Sequence, residues 1–301
     1  MNNALIIGYG SIGQLHYKII KKLNIFKKIY IYTSQQIKNK NKLNSLNSLN
    51  ELNLSYVIIA SPTSSHLQHL IKINNQLKNI KIVVEKPLFY NKLPKAFIER
   101  NKIYVGYDLR YHPILTKIKK IIKGKRIWSA NAFCGSYLPN WRPGRNYSKT
   151  SSALKKLGGG VLNDLSHEFD YLYWLFGESK ILFSYSDRIS NLRIDTDDTL
   201  IAISKYQNGV LGNISLNYYT RVPERKLIID GNNISISADL IKNKITYSIK
   251  NKVYKFSYKN IKRETTQQLM HKNIISSSNI YCSEYKQAIK IQKIINLIRS
   301  K

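Results

Sequence analysis

The segment ALIIGYGSIGQLH near the start of the chain constrains the fold more than any other feature. A short apolar run, Ala4 to Ile7, is followed by Gly8, Gly10 and Gly13. Apolar residues then recur at helical spacing, so the G-x-G-x-x-G pattern stands after a strand and before a helix. There the first glycine permits a tight turn, the second admits a pyrophosphate close to the backbone, and the third lets helix and strand pack. The segment predicts a dinucleotide-binding unit; the alternative is merely a tight turn.

Four further apolar runs alternate with helical stretches in the first 112 residues. They are KIYIYT (28–33), YVIIAS (56–61), IKIVVE (80–85) and IYVGY (103–107). Continuous apolar strands separated by helices predict a parallel sheet covered on both faces, and such sheets bind ligands beyond the carboxyl ends of their strands. The candidate cofactor-binding residues therefore lie in the glycine loop and at the strand ends: Gly8, Tyr9, Gly10, Ser11, Ile12, Gly13, Thr33, Ser34, Ser61, Pro62, His66, Glu85 and Lys86.

The end of the second predicted strand carries no acidic residue. An NAD-specific site usually places an acid there to hold the ribose diol, and this chain has no Asp or Glu before Glu51. Thr33 and Ser34, with Lys38 and Lys40 nearby, would instead offer hydroxyls and positive charge to a 2′-phosphate. NADP is therefore the expected cofactor, and NAD is the alternative.

The segment GGGVLNDLSHEFD (158–170) concentrates acidic residues in a chain that has only 17 of them. Asp164, His167 and Asp170 recur every third residue, which on one helix places them along a single ridge. A histidine suits proton transfer near neutral pH, so we expect a role in the reaction for His167. The alternative is a helix whose acids are solvated and whose histidine is partly in the core. For Glu168 we expect a solvated helix position.

In order along the chain, GYGSIGQLH, SPTSSH, VVEKPLF, VGYDLRYHP and GGGVLNDLSHEFD resemble the Gfo/Idh/MocA family of oxidoreductases. The resemblance covers nearly the whole chain. It implies an α/β protein with an N-terminal Rossmann domain, a doubly wound parallel sheet, and a C-terminal α/β domain with a large, mostly antiparallel sheet. It also implies NAD(P)-dependent hydride transfer to or from a secondary alcohol or ketone, commonly of a sugar.

The same resemblance implies a catalytic set of Lys86, from E-K-P, with Asp164 and His167 after the glycines. Lys86 would stabilise charge on the substrate oxygen, and His167 would take the hydroxyl proton. The usual family spacing is D-x-x-x-H, whereas this chain has D-x-x-H. This difference leaves two roles open for Asp164, one in catalysis and one in substrate binding.

A domain boundary is expected at RYHP, which gives a dinucleotide-binding domain over 1–112 and a substrate-binding domain over 113–301. Turn signals predict hairpins at Asn208-Gly209 and at 230–233, and apolar spacing predicts a closing helix.

The loop YLPNWRPGRNY (137–147) combines arginines with aromatic residues, which suits a sugar and its phosphate or carboxylate, or is simply an exposed loop. The candidate substrate-binding residues are Arg110, Trp141, Arg142, Arg145, Asp164 and Asp170. This loop and the glycine segment resemble the family branch found with bacterial surface-sugar biosynthesis, which implies an anionic sugar such as a nucleotide sugar or a nonulosonate.

The formal net charge is +32, from 49 basic and 17 acidic residues. Lysines are scattered among abundant Asn, Ile and Tyr, so we interpret the charge chiefly as drift toward AT-rich codons; a surface that attracts anions is the alternative. A different class of function is a non-catalytic dinucleotide sensor or nucleic-acid-associated protein that kept the fold. No helix-turn-helix, zinc spacing or aromatic–basic RNA motif supports it, and we expect no specific nucleic-acid partner.

Neither a secretory signal nor an apolar run of about 18 residues is apparent, so no membrane partner is expected. Cys134 and Cys282 have no metal-ligand spacing, and reduced thiols in a cytoplasm are the simplest interpretation, with no metal site. The family resemblance also implies self-association through the sheet of the C-terminal domain.

Overall fold

The computed structural model describes residues 2–91, 93–94, 96–259, 261–278 and 281–300. The chain divides into two compact units. Unit 1 comprises Met1–Asp108 with Lys262–Ile289, and unit 2 comprises Leu109–Ile261 with Lys290–Lys301. The sequence predicts a single break after residue 112, with every residue beyond it in the second domain. The first unit instead regains a segment from near the end of the chain.

Strands and helices are numbered here in chain order. The strands are β1 (Asn3–Ile7), β2 (Ile29–Tyr32), β3 (Lys42–Leu43), β4 (Leu54–Ile59), β5 (Lys81–Val84), β6 (Lys102–Val105), β7 (Ile127–Gly135), β8 (Ser179–Asp187), β9 (Thr199–Tyr206), β10 (Leu211–Asn217), β11 (Glu224–Gly231), β12 (Ile234–Asp239), β13 (Lys244–Ile249), β14 (Lys252–Ser257) and β15 (Ser283–Glu284). The helices are α1 (Ser11–Leu23), α2 (His66–Gln76), α3 (Pro113–Ile122), α4 (Val161–Asp164), α5 (His167–Phe176), α6 (Arg263–Ser276) and α7 (Tyr285–Arg299).

In the described residues of unit 1, seven strands form a sheet in the order β15-β6-β5-β4-β1-β2-β3. The pairs from β6 to β3 are parallel, as the continuous apolar runs predict. Most residues of the central strands β1, β4 and β5 are buried, among them Leu5, Val57 and Ile82. The predicted strands and the helix after the glycine loop are confirmed.

Two late elements explain why unit 1 takes in residues from the end of the chain. Helix α6 packs against α1, and β15 pairs antiparallel with the edge strand β6. Met270 and Ile274 of α6 are buried, as is Tyr285 at the start of α7. These contacts join residues about 180 positions apart for β15 and β6 and about 250 positions apart for α6 and α1, which local sequence patterns do not reveal.

Unit 2 has an eight-stranded sheet over its described residues, in the order β14-β13-β12-β11-β7-β10-β9-β8. It is antiparallel apart from the β7–β10 pair, as expected for the C-terminal domain. Both hairpins are confirmed, with left-handed backbone at Gly209 and Asn233. Its core joins sheet and helix residues such as Ile214, Leu172 and Ile295. Across the part of the chain that the structure describes, no helix has the length and apolarity to cross a membrane.

Candidate functional site

The loop between β1 and α1 is shaped by glycines. The φ angle of Gly8 is +93°, and a Cβ there would lie 2.5 Å from the carbonyl oxygen of Ala60. A Cβ on Gly13 would lie 2.1 Å from the carbonyl oxygen of Gly8, so helix and loop could not approach as they do. Around Gly10, nothing described lies within 4 Å of an added Cβ. This open space at the start of a helix fits a pyrophosphate. The other loop candidates are partly or fully exposed: Tyr9, Ser11 and Ile12.

The end of β2 carries hydroxyls rather than a carboxylate. Thr33 is partly buried, and its Oγ1 accepts a hydrogen bond from the backbone N–H of Gln35 at 3.2 Å. Ser34 is exposed, as are Lys38 and Lys40. The hydroxyl groups and positive charges that a 2′-phosphate would need are therefore present near the surface at this strand end.

His66 links two of the predicted cofactor-binding segments. Its Nε2 lies 2.9 Å from the carbonyl oxygen of Ser61, and its Nδ1 lies 3.1 Å from the carbonyl oxygen of Pro87. The ring is only 1% exposed, and burial lowers the pKa of His66 although both carbonyls oppose that shift. The ring thus ties the end of β4 to the residues around Lys86. Pro62, between Ser61 and the helix, is exposed.

Lys86 follows β5 and is partly exposed. The peptide bond to Pro87 is cis. Its other neighbour, Glu85, is buried, and Oε1 of that residue lies 2.9 Å from Nε2 of His16 on α1. The carboxylate predicted as a cofactor contact is therefore bound to His16, for which the sequence predicts no role.

The glycine run in unit 2 makes room for an acid. Gly160 has a φ angle of +109°, and a Cβ there would lie 2.1 Å from Oδ1 of Asp197. The second oxygen of Asp197 accepts a hydrogen bond from the backbone N–H of Leu162 at 2.8 Å, in the first turn of α4. Asn163 donates to the carbonyl oxygen of Gly158 at 2.9 Å. The three glycines therefore fold the chain tightly ahead of the candidate catalytic residues.

The predicted single ridge of Asp164, His167 and Asp170 is wrong, because the segment forms two helices. Helix α4 ends at Asp164 and α5 begins at His167; Leu165, with φ −101° and ψ 30°, leaves the helical conformation between them. His167 is 7% exposed.

Asp164 is held by a tyrosine from the sheet. The hydroxyl of Tyr218 donates a hydrogen bond to Oδ2 of Asp164 at 2.7 Å. Burial, reinforced by the nearby charge of Asp164, raises the pKa of Tyr218 well above its usual range, so the phenol keeps its proton and acts as the donor. Trp141 stacks edge-on against Tyr218 with ring centroids 5.2 Å apart. Two of the predicted site residues, Asp164 and Trp141, therefore both contact Tyr218 in unit 2.

The two acids of α5 are buried, which corrects the expectation that Glu168 is solvated. Glu168 is 0% exposed, and Arg225 of β11 binds it with Nε 2.8 Å from Oε1. Asp170 is 1% exposed and accepts hydrogen bonds from Nε and Nη2 of Arg110, at 2.9 and 2.7 Å. A carboxylate buried to this extent needs such a partner. Arg110 and Asp170, predicted as substrate-binding residues, are bound to each other, and their contact with a substrate stays a prediction.

The loop over 137–147 presents its charged residues outward. Trp141 is partly exposed, and its indole N–H donates to Oγ of Ser136 at 2.9 Å. Arg142 is partly exposed and Arg145 fully exposed. These two arginines and Trp141 stay predictions as substrate contacts. The residues missed from the sequence include Tyr218, which directly follows β10, and Asp197, which lies in the loop before β9. Nothing in their local sequence indicates that the fold brings them to α4.

Two parts of the chain match the two domains of one family. Residues 2–97 match an oxidoreductase family with an NAD-binding Rossmann fold, and residues 115–237 match the GFO/IDH/MocA C-terminal domain. With the parallel sheet of unit 1 and the mostly antiparallel sheet of unit 2, the chain is of the class of two-domain, NAD-binding oxidoreductases. It belongs to the Gfo/Idh/MocA family.

A curated relative is "Oxidoreductase P35" of Formosa agariphila, 25% identical over 219 residues, which are 69% of this chain and 66% of the relative. The match thus spans just under two thirds of that relative's length. Among solved structures, levoglucosan dehydrogenase in complex with NADH has 15% identity and a TM-score of 0.82, covering 99% of this chain and 96% of its own. The WlbA dehydrogenase of Bordetella pertussis, in complex with NADH and UDP-GlcNAcA, has 18% identity and a TM-score of 0.77, covering 99% and 95%. These structural matches confirm the predicted fold class.

Proposed function

We propose that this protein is an NAD(P)-dependent oxidoreductase that transfers a hydride to or from a secondary alcohol or ketone of a sugar or sugar derivative. The observation that carries the proposal is the site on unit 2, where Tyr218 fixes Asp164 three residues before the buried His167. Its conjunction in one chain with the glycine loop and Lys86 supports a reaction that needs both a dinucleotide and proton transfer.

The glycine loop and the ends of the unit 1 strands would hold the cofactor, which supplies or accepts the hydride when it is bound. The open space at Gly10 supports pyrophosphate binding there. Thr33 and the exposed Ser34, Lys38 and Lys40 support a preference for NADP(H), since they offer donors and positive charge to a 2′-phosphate. NAD(H), present in both of the structural neighbours named above, is the alternative.

Each catalytic residue has a separate role. His167 takes the hydroxyl proton during oxidation and returns it during reduction. Lys86 donates a hydrogen bond to the substrate oxygen and stabilises the negative charge that develops on it. Asp164, held in one orientation by Tyr218, stays available to orient the substrate or the imidazole.

The substrate we favour is an anionic sugar, a nucleotide sugar or a nonulosonate. The loop with Trp141, Arg142 and Arg145 supports this class, because an aromatic ring stacks on a sugar and guanidinium groups bind phosphate or carboxylate. The UDP-GlcNAcA in the WlbA structure belongs to the same chemical class.

The test is a screen of neutral sugars, uronic acids and nucleotide sugars with each nicotinamide cofactor, followed by nicotinamide absorbance. His167→Asn should lower kcat by about 10² to 10⁴ and leave the cofactor Kd nearly unchanged. Lys86→Met should also lower kcat, whereas Lys102→Met, an exposed lysine of the same unit, should not. Full turnover by His167→Asn would overturn the assignment of the proton-transfer group.

Charge and surface lead to two statements about partners. We expect no specific nucleic-acid complex at about 150 mM salt, and a shifted band that survives competitor would favour the sensor function.

Self-association through the unit 2 sheet is supported by exposed apolar side chains that face each other across β8 and β9: Phe183 opposite Ile203, and Tyr185 opposite Ile201. Light scattering should then give more than one chain per particle, and Ile201→Lys should lower that number. The buried thiols Cys134 and Cys282 support a reducing cytoplasm as the location.

A further inference from the structure

Four buried polar side chains of unit 1 form a continuous hydrogen-bonded chain that ends beside Lys86. Glu85 Oε1 lies 2.9 Å from His16 Nε2, His16 Nδ1 lies 2.8 Å from His271 Nε2, and His271 Nδ1 lies 2.7 Å from the hydroxyl of Tyr56. The four are between 0% and 5% exposed. They come from the end of β5, from α1, from α6 and from β4.

The charge states of Glu85, Tyr56 and His271 limit which groups can donate in these hydrogen bonds. Burial raises the pKa of Glu85, but the hydrogen bond and charge of His16 outweigh it, and the net pKa is below the usual value. Burial, with His16 beside it, lowers the pKa of His271 well below its usual range, and burial raises that of Tyr56 well above its own. The carboxylate can therefore only accept, the phenol keeps its proton, and His271 is neutral.

A neutral imidazole has one donor and one acceptor nitrogen. The neutral ring of His271 can therefore donate one hydrogen bond and accept the other from its two neighbours, the Tyr56 hydroxyl and His16 Nδ1. Nε2 of His16 donates to the carboxylate of Glu85. The ring of His271 thus links Tyr56 to the His16–Glu85 pair.

The carboxylate at the end of this chain is closely packed. A Cβ on Gly106 would lie 2.7 Å from Glu85 Oε1, and the backbone N–H of Glu85 donates to the carbonyl oxygen of Ile59 at 2.8 Å. Arg263 and Lys86 are the other charged groups that act on it. Because Glu85 directly precedes Lys86, its fixed position also fixes the start of the segment that carries the lysine.

We infer that Tyr56 and His271 are positioning residues for the reaction: through their hydrogen bonds they hold His16 against Glu85, and so keep a fixed carboxylate next to Lys86. This inference rests on the role proposed above for Lys86. A buried polar network of this kind gives little stability over an apolar core, and a broken one is costly. A local role at Lys86 accounts for a network that spans 255 residues of sequence.

The test uses the full chain and needs no substrate. His271→Met removes the hydrogen-bond partner of His16, His271→Gln keeps an amide that can bond to it, and Tyr56→Phe removes only one hydroxyl. Tyr285→Phe, a buried tyrosine of the same unit outside this network, is the matched control. The pH dependence of Lys86 acylation is followed by peptide mass spectrometry, and the histidine tautomers by ¹⁵N NMR of the ring nitrogens. Cofactor Kd and thermal stability are measured beside them.

In His271→Met we expect the midpoint of Lys86 acylation to fall by about half a pH unit or more, because a neighbouring carboxylate that is no longer held in place stabilises the charged lysine less. Tyr56→Phe should shift it in the same direction by less and change the ring ¹⁵N signals. His271→Gln and Tyr285→Phe should leave it near the wild-type value. If Tyr56→Phe folds and both its Lys86 midpoint and its His16 signals match the wild type, the inference is overturned, whatever His271→Met does.

Kinetics separate this inference from the proposed function. Once a substrate is known, His271→Met should displace the pH profile of kcat in the direction of the labelling shift, with KM little changed. A labelling shift in a protein that turns over no sugar would refute the proposed substrate and leave the network's action on Lys86 intact. If the protein turns over a sugar but the labelling of Lys86 is unchanged in every variant, the action of the network on Lys86 is refuted and the proposed substrate stands.

Discussion

Replacing Asp170 by Asn tests whether the Arg110–Asp170 pair is part of the architecture or available to a substrate. The side chains of both residues are 1% exposed, and two hydrogen bonds of 2.7 and 2.9 Å join them. The amide of Asn has nearly the shape of the carboxylate, so packing is preserved. What the substitution removes is the negative charge that balances a buried guanidinium.

The expected loss is large because Arg110 stays charged and loses its buried counter-ion. Removing one partner of a buried ion pair costs about 3–5 kcal/mol of unfolding free energy. Replacing both partners by apolar residues, as in Arg110→Met/Asp170→Leu, should recover much of that loss, because no charge is then left in the interior. Asp187→Asn, at an exposed aspartate of the same unit, should change stability by less than about 0.5 kcal/mol.

Urea unfolding followed by tryptophan fluorescence measures this unit selectively. All three tryptophans, Trp128, Trp141 and Trp174, lie in unit 2, so the signal reports its unfolding even if the two units unfold separately. An Asp170→Asn protein within about 0.5 kcal/mol of the wild type, with a raised KM for its sugar, would refute the structural assignment and restore Asp170 as a substrate-binding residue.

Three further predictions address unit 2. Gly160→Ala should lower the unfolding free energy of unit 2 by clearly more than Gly124→Ala does. Both glycines have a positive φ, but only a Cβ at residue 160 would clash with a carboxylate. Equal losses in urea titrations would contradict the steric argument. Tyr218→Phe should cost about 1–2 kcal/mol and lower kcat/KM with the cofactor Kd unchanged, because Asp164 loses its donor; unaltered kinetics would show that this hydrogen bond does not serve the reaction. Burial lowers the pKa of His112 to about 4, against about 6.5 when unfolded, so the stability present above pH 6.5 should fall by up to roughly 3 kcal/mol as pH drops to about 4. His112→Asn should flatten that dependence, and an unchanged slope in pH-dependent denaturation would exclude His112 as its source.

Much of the fold could be predicted from the sequence because its signals are local. The run from Ala4 to Ile7 and the glycines after it define a strand, a turn and a helix within about 20 residues. The same holds for the hairpin at Gly209, whose turn residues and flanking alternation are adjacent in the chain.

The prediction failed where neighbours in space are distant in sequence. Glu168 looks like a solvated helix residue until Arg225, 57 positions later, is placed beside it. The start of α4 likewise depends on Asp197, 35 positions later than Leu162, whose backbone N–H donates to its carboxylate. Periodicity describes one helix face and contains no information about a partner on another strand.

The return of the chain to unit 1 has a consequence for synthesis on the ribosome. Domains generally fold N-terminal first as they emerge, but this nucleotide-binding unit is incomplete when its first 108 residues have been made. At that stage His16 lacks the imidazole of His271, and β6 remains an unpaired edge until Ser283 and Glu284 arrive. The nascent unit therefore cannot complete its core until more than 150 intervening residues have been made, and these include the whole sheet of unit 2. A shortened gene that ends after residue 108 would encode a unit that lacks α6 and β15 and exposes the edge of β6, and such a product should be prone to aggregate.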